Sequence, residues 1–116
     1  MNDPHCIFCN IITGQANARI LYQDDEVTAF WDTRPATPVD ILIVPNKHIQ
    51  SVNHLEEADA ALIGKMTMLA KKLAKEQGVD QSGYRLVINT GLDAGQTVFH
   101  LHLHLIGGQR MGFRPQ

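Results

Sequence analysis

Three histidines alternate with leucines in the segment HLHLHLIGG, residues 100–108. In a strand, successive side chains point to opposite faces, so His100, His102 and His104 would share one face while the leucines are buried on the other. Each imidazole is a candidate base, nucleophile or metal ligand. On this segment alone, a zinc or nickel site made of three imidazoles remains an alternative to a catalytic site.

The loop before the histidines, TGLDAGQT at residues 90–97, favours a phosphate ligand. Gly91 and Gly95 allow backbone amides to turn toward a ligand, and neutral polar side chains stand beside them. These side chains belong to Asn89, Gln96 and Thr97. An imidazole nucleophile next to amide donors is the arrangement that covalent phosphoryl or nucleotidyl transfer requires.

The segments that must position these residues predict an antiparallel α+β sandwich of sheet and helices. Strands are predicted in RILYQ, VTAFWD, ILIVP, YRLVIN and the histidine segment. A short helical turn is expected from Cys9 to Thr13. From Glu56 to Gln77 the sequence predicts one amphipathic helix with Gly78 as its C-cap. Its buried stripe is expected at Leu62, Met66, Leu69 and Leu73.

Length and charge limit the classes of function. The 116 residues predict a single domain spanning 1–116. The net charge of −2 gives no broad cationic surface, so neither a nucleic-acid polymer nor a membrane is an expected partner. We expect a cytoplasmic protein, because the strongest apolar run, ILIV, is far too short to cross a bilayer and no basic stretch precedes an apolar run near residue 1.

The stretch GQTVFHLHLHLIGG resembles the signature of the histidine triad (HIT) nucleotide-binding proteins. Four further stretches match in the family's order: CIFCNIITG, FWDTRPATP, ILIVPNKHI and VINTGLDAGQT. The tail LIGGQRM is more similar to the Hint-like purine nucleotide phosphoramidase branch than to the Fhit-like diadenosine polyphosphate hydrolases. The resemblance implies a five-stranded antiparallel sheet with one long and one short helix, dimerising into a continuous sheet, and hence a homodimer.

The resemblance also implies a role for each matching residue. His102 would attack the α-phosphorus of an AMP conjugate and form a nucleotidyl-histidine, while His104 and Thr97 would assist the departing amine or other leaving group. The phosphate would be surrounded by Asn89, Gly95, Gln96 and Thr97 together with His102 and His104. The ribose hydroxyls would bind Asp32. The sides of the purine pocket would be formed by Ile7, Phe8, Ile11, Phe30 and Thr33.

A second site is implied by the C-x-x-C pair. Cys6 and Cys9 supply two thiolates, and a tetrahedral zinc needs two more ligands. Some bacterial-type HIT proteins close such a site with the histidines that correspond to His48 and His100. We therefore expect a structural zinc and no organic cofactor, with a redox pair as the alternative.

Two positions depart from the family pattern. Many HIT proteins carry a fourth histidine where this chain has Asp40; a carboxylate that reached the triad would favour the protonated form of a neighbouring imidazole. We expect Asp40 to change the rate without abolishing the chemistry. In the tail MGFRPQ, Phe113 stands where the Hint branch has a tryptophan, which affects the expected leaving-group preference.

Three other functions remain open from the sequence. Within enzymes, the alternative is a dinucleoside polyphosphate hydrolase or nucleotidyl transferase. A non-catalytic nucleotide-binding regulator would bind AMP without turnover. A metal-trafficking protein would bind metal through all three triad histidines and would not bind nucleotides.

Overall fold

Five strands form one antiparallel sheet in the computed structural model, which describes residues 3–112; Phe113 therefore lies outside the described residues. The strands are β1 (Ile20–Gln23), β2 (Val27–Trp31), β3 (Val39–Pro45), β4 (Tyr84–Val87) and β5 (Leu103–Gly107). They lie in the order β1-β2-β3-β5-β4, with every neighbouring pair antiparallel. The predicted α+β class is confirmed.

Within the described residues two α-helices accompany the sheet, α1 (Ile7–Ile12) and α2 (Ala60–Glu76). Helix α1 begins earlier than predicted because the Cys6 sulfur accepts a hydrogen bond from the Cys9 amide and caps the first turn. The predicted long helix is divided, since a 3₁₀ turn at Glu57–Asp59 precedes α2. No helix within residues 3–112 is long and apolar enough to cross a membrane.

The central strand β3 has a different helix on each face. Ile41 and Ile43 pack in a core cluster with the buried stripe of α2. Leu42 and Val44 point to the opposite face and pack with the apolar residues of α1. The sheet therefore separates a large core beneath α2 from a smaller one beneath α1.

The histidine segment differs from the prediction. Strand β5 begins only at Leu103, so His100 and His102 precede the strand. The amide of Leu101 donates to the carbonyl of Ile49, beyond the end of β3, and the β3–β5 ladder begins only at Leu103. His100 and His102 are also buried, not only the leucines, because α1 covers them.

Candidate functional site

A cavity of about 450 Å³ opens on the α1 side of the sheet. Nine of the residues predicted for the nucleotide site line it, drawn from α1, β2, the loop before β5 and the histidine segment. They are Ile7, Phe8, Ile11, Phe30, Asp32, Thr33, Thr97, His102 and His104. The volume falls within the range of small-molecule sites, and the cavity contains two imidazoles and a carboxylate.

Six lining residues were not predicted: Asn17, Ala18, Trp31, Arg34, Leu42 and Val98. Leu42 could have been found, because it stands opposite Phe30 in the β2–β3 ladder and therefore shares its face. Arg34 adds a cation at the cavity wall. Its position in a proline-bearing loop carries no periodic signal, so the sequence alone did not indicate it.

Three predicted residues, Asn89, Gly95 and Gln96, do not line the cavity. The Gln96 side chain is 1% exposed, and its amide group makes hydrogen bonds to the backbone. Its nitrogen donates to the carbonyls of Gln50 (2.7 Å) and Val98 (3.1 Å), and its oxygen accepts from the amide of Gly91 (2.9 Å). Gln96 thus holds the glycine loop against the rest of the protein.

The middle histidine is held in one orientation. Nδ1 of His102 lies 2.6 Å from the carbonyl oxygen of His100, so Nδ1 carries the proton and donates it, and Nε2 is left with its lone pair. The ring also makes an edge contact with Phe8 at 5.1 Å. Burial lowers the pKa of His102, although the bond to the carbonyl acts in the opposite direction. A neutral imidazole with one free nitrogen is what a nucleophile needs.

The four predicted zinc ligands are brought together. The sulfur and nitrogen ligand atoms of Cys6, Cys9, His48 and His100 all lie within 4.8 Å of one another. Nδ1 of His100 is 3.4 Å from the Cys6 sulfur and 3.5 Å from the Cys9 sulfur, and Nδ1 of His48 is 3.2 Å from the Cys9 sulfur. Tetrahedral zinc, with Zn–S of about 2.3 Å and Zn–N of about 2.0 Å, separates sulfur from nitrogen by about 3.5 Å.

The protonation of these groups suits a metal. Nε2 of His100 is 2.8 Å from the carbonyl of Pro45, which fixes the proton on Nε2 and turns the Nδ1 lone pair toward the thiols. Burial lowers the pKa of His100 to about 4, so the ring is neutral. Burial also raises the pKa of the Cys6 thiol, and a bound cation is what would reverse that preference for the neutral form.

Asp40 reaches the triad. Its side chain is 3% exposed, one oxygen accepts from the amide of Ala36 at 2.8 Å, and the other lies 3.8 Å from Nδ1 of His104. Asp40 and His104 are diagonal neighbours on β3 and β5, because Leu42 stands opposite His104 in the ladder. Asp40, which departs from the family pattern, therefore lies next to a cavity-lining histidine.

A larger hollow of about 740 Å³ lies beside the start of β4, away from the histidines. Among the described residues it is lined by glycines, Tyr84, Arg85 and neighbouring polar side chains. It contains no histidine, cysteine or carboxylate. Its lining offers no imidazole or carboxylate that could act as a general base, so the chemistry favours the smaller cavity beside α1.

Known proteins resemble this chain in sequence and in fold. Residues 5–114 match the family described as Scavenger mRNA decapping enzyme C-term binding. The chain is 43% identical to the purine nucleoside phosphoramidase of Escherichia coli over 106 residues, which are 91% of this chain and 89% of that protein. The crystal structure of an HIT family hydrolase from Legionella pneumophila superposes with a TM-score of 0.94 at 41% identity, covering 97% of this chain and all of that one. The chain belongs to the HIT family.

A zinc-bound HIT protein from Mycobacterium smegmatis is also similar, with a TM-score of 0.80 and 31% identity over 97% of this chain and 83% of that one. The three alternating histidines lie in two places: the side chain of His100 is in the cysteine cluster, and those of His102 and His104 line the cavity.

Proposed function

We propose that this HIT protein is a nucleoside phosphoramidase that hydrolyses the bond between the α-phosphate of a purine nucleoside monophosphate and an amine. The observation that carries the proposal is the bond from Nδ1 of His102 to the His100 carbonyl, which leaves Nε2 as a nucleophile at a cavity of suitable size. The Escherichia coli relative, named a purine nucleoside phosphoramidase, supports the choice of substrate.

In this proposal Nε2 of His102 attacks the α-phosphorus and the phosphorus–nitrogen bond to the amine breaks. The electron pair of that bond goes to the amine, which takes a proton from His104. Water then attacks the nucleotidyl-histidine, and the nucleoside monophosphate leaves. The apolar side chains of Phe8 and Phe30, in edge contact at 5.5 Å, would enclose the purine, and Asp32 would bind the ribose.

The test is steady-state hydrolysis of adenosine phosphoramidate by wild type and His102→Ala, after circular dichroism has shown equal folding. We expect turnover in wild type and a loss of at least about 1,000-fold in His102→Ala, because the substitution removes the nitrogen that would form the intermediate. His54→Ala is a matched control that removes an exposed imidazole outside the cavity and should keep full activity. Turnover that survives in His102→Ala would contradict the proposal. AMP binding without wild-type turnover would instead indicate a regulator.

We infer that Cys6, Cys9, His48 and His100 bind one structural zinc ion. The support is the spacing of the four ligand atoms, the fixed proton on His100 and the zinc-bound relative. Zinc would cross-link α1 to the loop after β3 and to the histidine segment. His100 would then take no part in proton transfer, and its carbonyl would hold His102.

Metal analysis and thermal unfolding test the zinc site without any use of activity. Protein purified without chelator should contain about one zinc per chain, and a strong chelator should lower its melting temperature. Cys6→Ser should lose the metal and show no further chelator effect. Zinc well below one per chain, with unchanged stability in Cys6→Ser, would contradict the site.

We further propose that two copies associate through β4 and α2, which continues the sheet across a two-fold axis. In the described part of the chain β4 is an edge strand. Exposed apolar side chains lie on both elements, with Leu86 37% and Met68 61% exposed. Analytical ultracentrifugation should give a dimer for wild type and a monomer for Leu86→Lys. Leu92→Lys, on an exposed loop turn, is the matched control and should remain dimeric.

A further inference from the structure

Asp40 has one carboxylate oxygen that is buried and lacks a hydrogen bond. Among the described residues, Oδ1 of Asp40 has no donor within hydrogen-bond distance, while Oδ2 is held by the amide of Ala36. A buried acceptor without a partner destabilises the folded protein, and more so when it is charged. Its nearest cationic candidate is Nδ1 of His104, at 3.8 Å. This oxygen is therefore available to a proton on His104.

We propose that Asp40 is a positioning residue for His104 and accepts a hydrogen bond from its Nδ1 during turnover. The bond would fix the ring orientation and keep one proton on Nδ1, so that Nε2 carries the proton for the leaving group. The proposal rests on the phosphoramidase function proposed above. It gives a role to the one residue near the triad that departs from the family pattern.

The geometry indicates which partner moves. The carboxylate is fixed by the Ala36 amide and by its place in the central strand, whereas the His104 side chain is 18% exposed and borders the cavity. Closing the gap from 3.8 Å to a hydrogen bond of about 2.8 Å needs a shift of about 1 Å, which a small rotation of the imidazole supplies. Catalytic hydrogen bonds are often long without substrate and shorten in the complex.

The proton count is consistent with this role. In the first step the Nε2 proton of His104 moves to the departing amine, while Asp40 keeps its bond to Nδ1–H and takes no proton. In the second step water attacks phosphorus, and its proton returns to Nε2 of His104. The bond from phosphorus to His102 breaks, and its electron pair returns to Nε2 of His102. Asp40 thus stabilises the His104 ring when the ring is doubly protonated. When the ring is neutral, Asp40 keeps the remaining proton on Nδ1.

Two substrates with different leaving groups test the proposal. An amine must be protonated as it leaves, whereas p-nitrophenolate leaves without a proton. For Asp40→Asn we expect kcat on adenosine phosphoramidate to fall about 10- to 100-fold with KM within about threefold of wild type. On the p-nitrophenyl ester of AMP, kcat should stay within about threefold. Asp59→Asn, which removes a buried carboxylate that does not line the cavity, is the matched control and should change neither rate.

A spectroscopic measurement on wild type makes the test independent of how well the variant folds. In ¹⁵N NMR of the AMP complex, the His104 ring should be protonated at Nδ1, and this signal should change in Asp40→Asn. Equal loss on both substrates, or a neutral His104 ring protonated at Nε2 alone, would overturn the proposal.

A bound metal ion is the other explanation for the unbonded oxygen of Asp40, because ligand atoms of Asp32, Asp40 and His104 lie within 4.8 Å of one another. Titration with Mn²⁺ distinguishes this case: binding to wild type that Asp40→Asn abolishes would overturn the positioning role. No turnover of either substrate by wild type would remove the proposed phosphoramidase function, and the NMR signal would still show whether Asp40 contacts His104.

Discussion

The Gln96 side chain is expected to stabilise the fold and not to bind phosphate, and Gln96→Ala tests this directly. The substitution removes three hydrogen bonds to the backbone and leaves the groups at Gln50, Val98 and Gly91 to find other partners. At about 1 kcal/mol for each bond, the free energy of unfolding should fall by about 3 kcal/mol. With a urea m-value of about 1.5 kcal/mol/M for a domain of this size, the midpoint should fall by about 2 M.

The assay is urea unfolding followed by circular dichroism, with AMP affinity measured on the folded variant. Gln50→Ala is the matched control, since Gln50 takes part through its backbone carbonyl and its midpoint should not move. AMP affinity should fall by less than about fivefold, because the amide does not face the cavity. A stability loss below about 0.5 kcal/mol together with a large loss of AMP affinity would refute the reasoning and return Gln96 to the phosphate site.

Two further substitutions have defined outcomes. Bonding to Lys65 holds the pKa of Asp24 below its usual value, so the stabilisation by the Asp24 carboxylate is complete above about pH 4 and is lost as the pH falls. The stability difference between wild type and Asp24→Asn should therefore shrink between pH 7 and pH 2. A pH-independent difference in chemical unfolding would argue against this role of Asp24. Gly78 has a φ of +75°, and no atom lies within 4 Å of a Cβ built there. Gly78→Ala should therefore lower the free energy of unfolding by about 1 kcal/mol through backbone strain alone. A calorimetric melting temperature equal to that of wild type would contradict this.

The periodicity of apolar residues was sufficient to predict most of the helices and strands. Of the stripe predicted for α2, Met66, Leu69 and Leu73 are buried, and Leu62, in the first turn, is partly buried against the same cluster. The end of the helix is also correct, because the amides of Gly78 and Val79 donate to carbonyls of the last turn. Strand order is a tertiary property, and the sequence did not indicate that β5 lies between β3 and β4.

The site residues were predicted from their side-chain types and from the family motif more than from the periodicity of apolar residues. Matching side chains to a family motif identified the cavity-lining residues of α1 and the four members of the cysteine–histidine cluster, but it did not distinguish a side chain facing the cavity from one facing the backbone. Gln96 illustrates the difference, because a buried amide and a phosphate-binding amide look the same in a sequence. Arg34 was missed for the opposite reason, since an exposed loop residue has no pattern to read.

The alternation of histidine and leucine follows from two tasks performed by one short segment. The His100 side chain points to the cysteines while its carbonyl holds the ring of His102, so an anchored first histidine also sets the tautomer of the second. Phe8 links the same two rings to α1, with edge contacts at 5.9 Å and 5.1 Å. A carbonyl and an aromatic ring therefore connect the cysteine cluster directly to His102. His104 lies farther along, on β5, where Asp40 can orient it without involving the cysteine cluster.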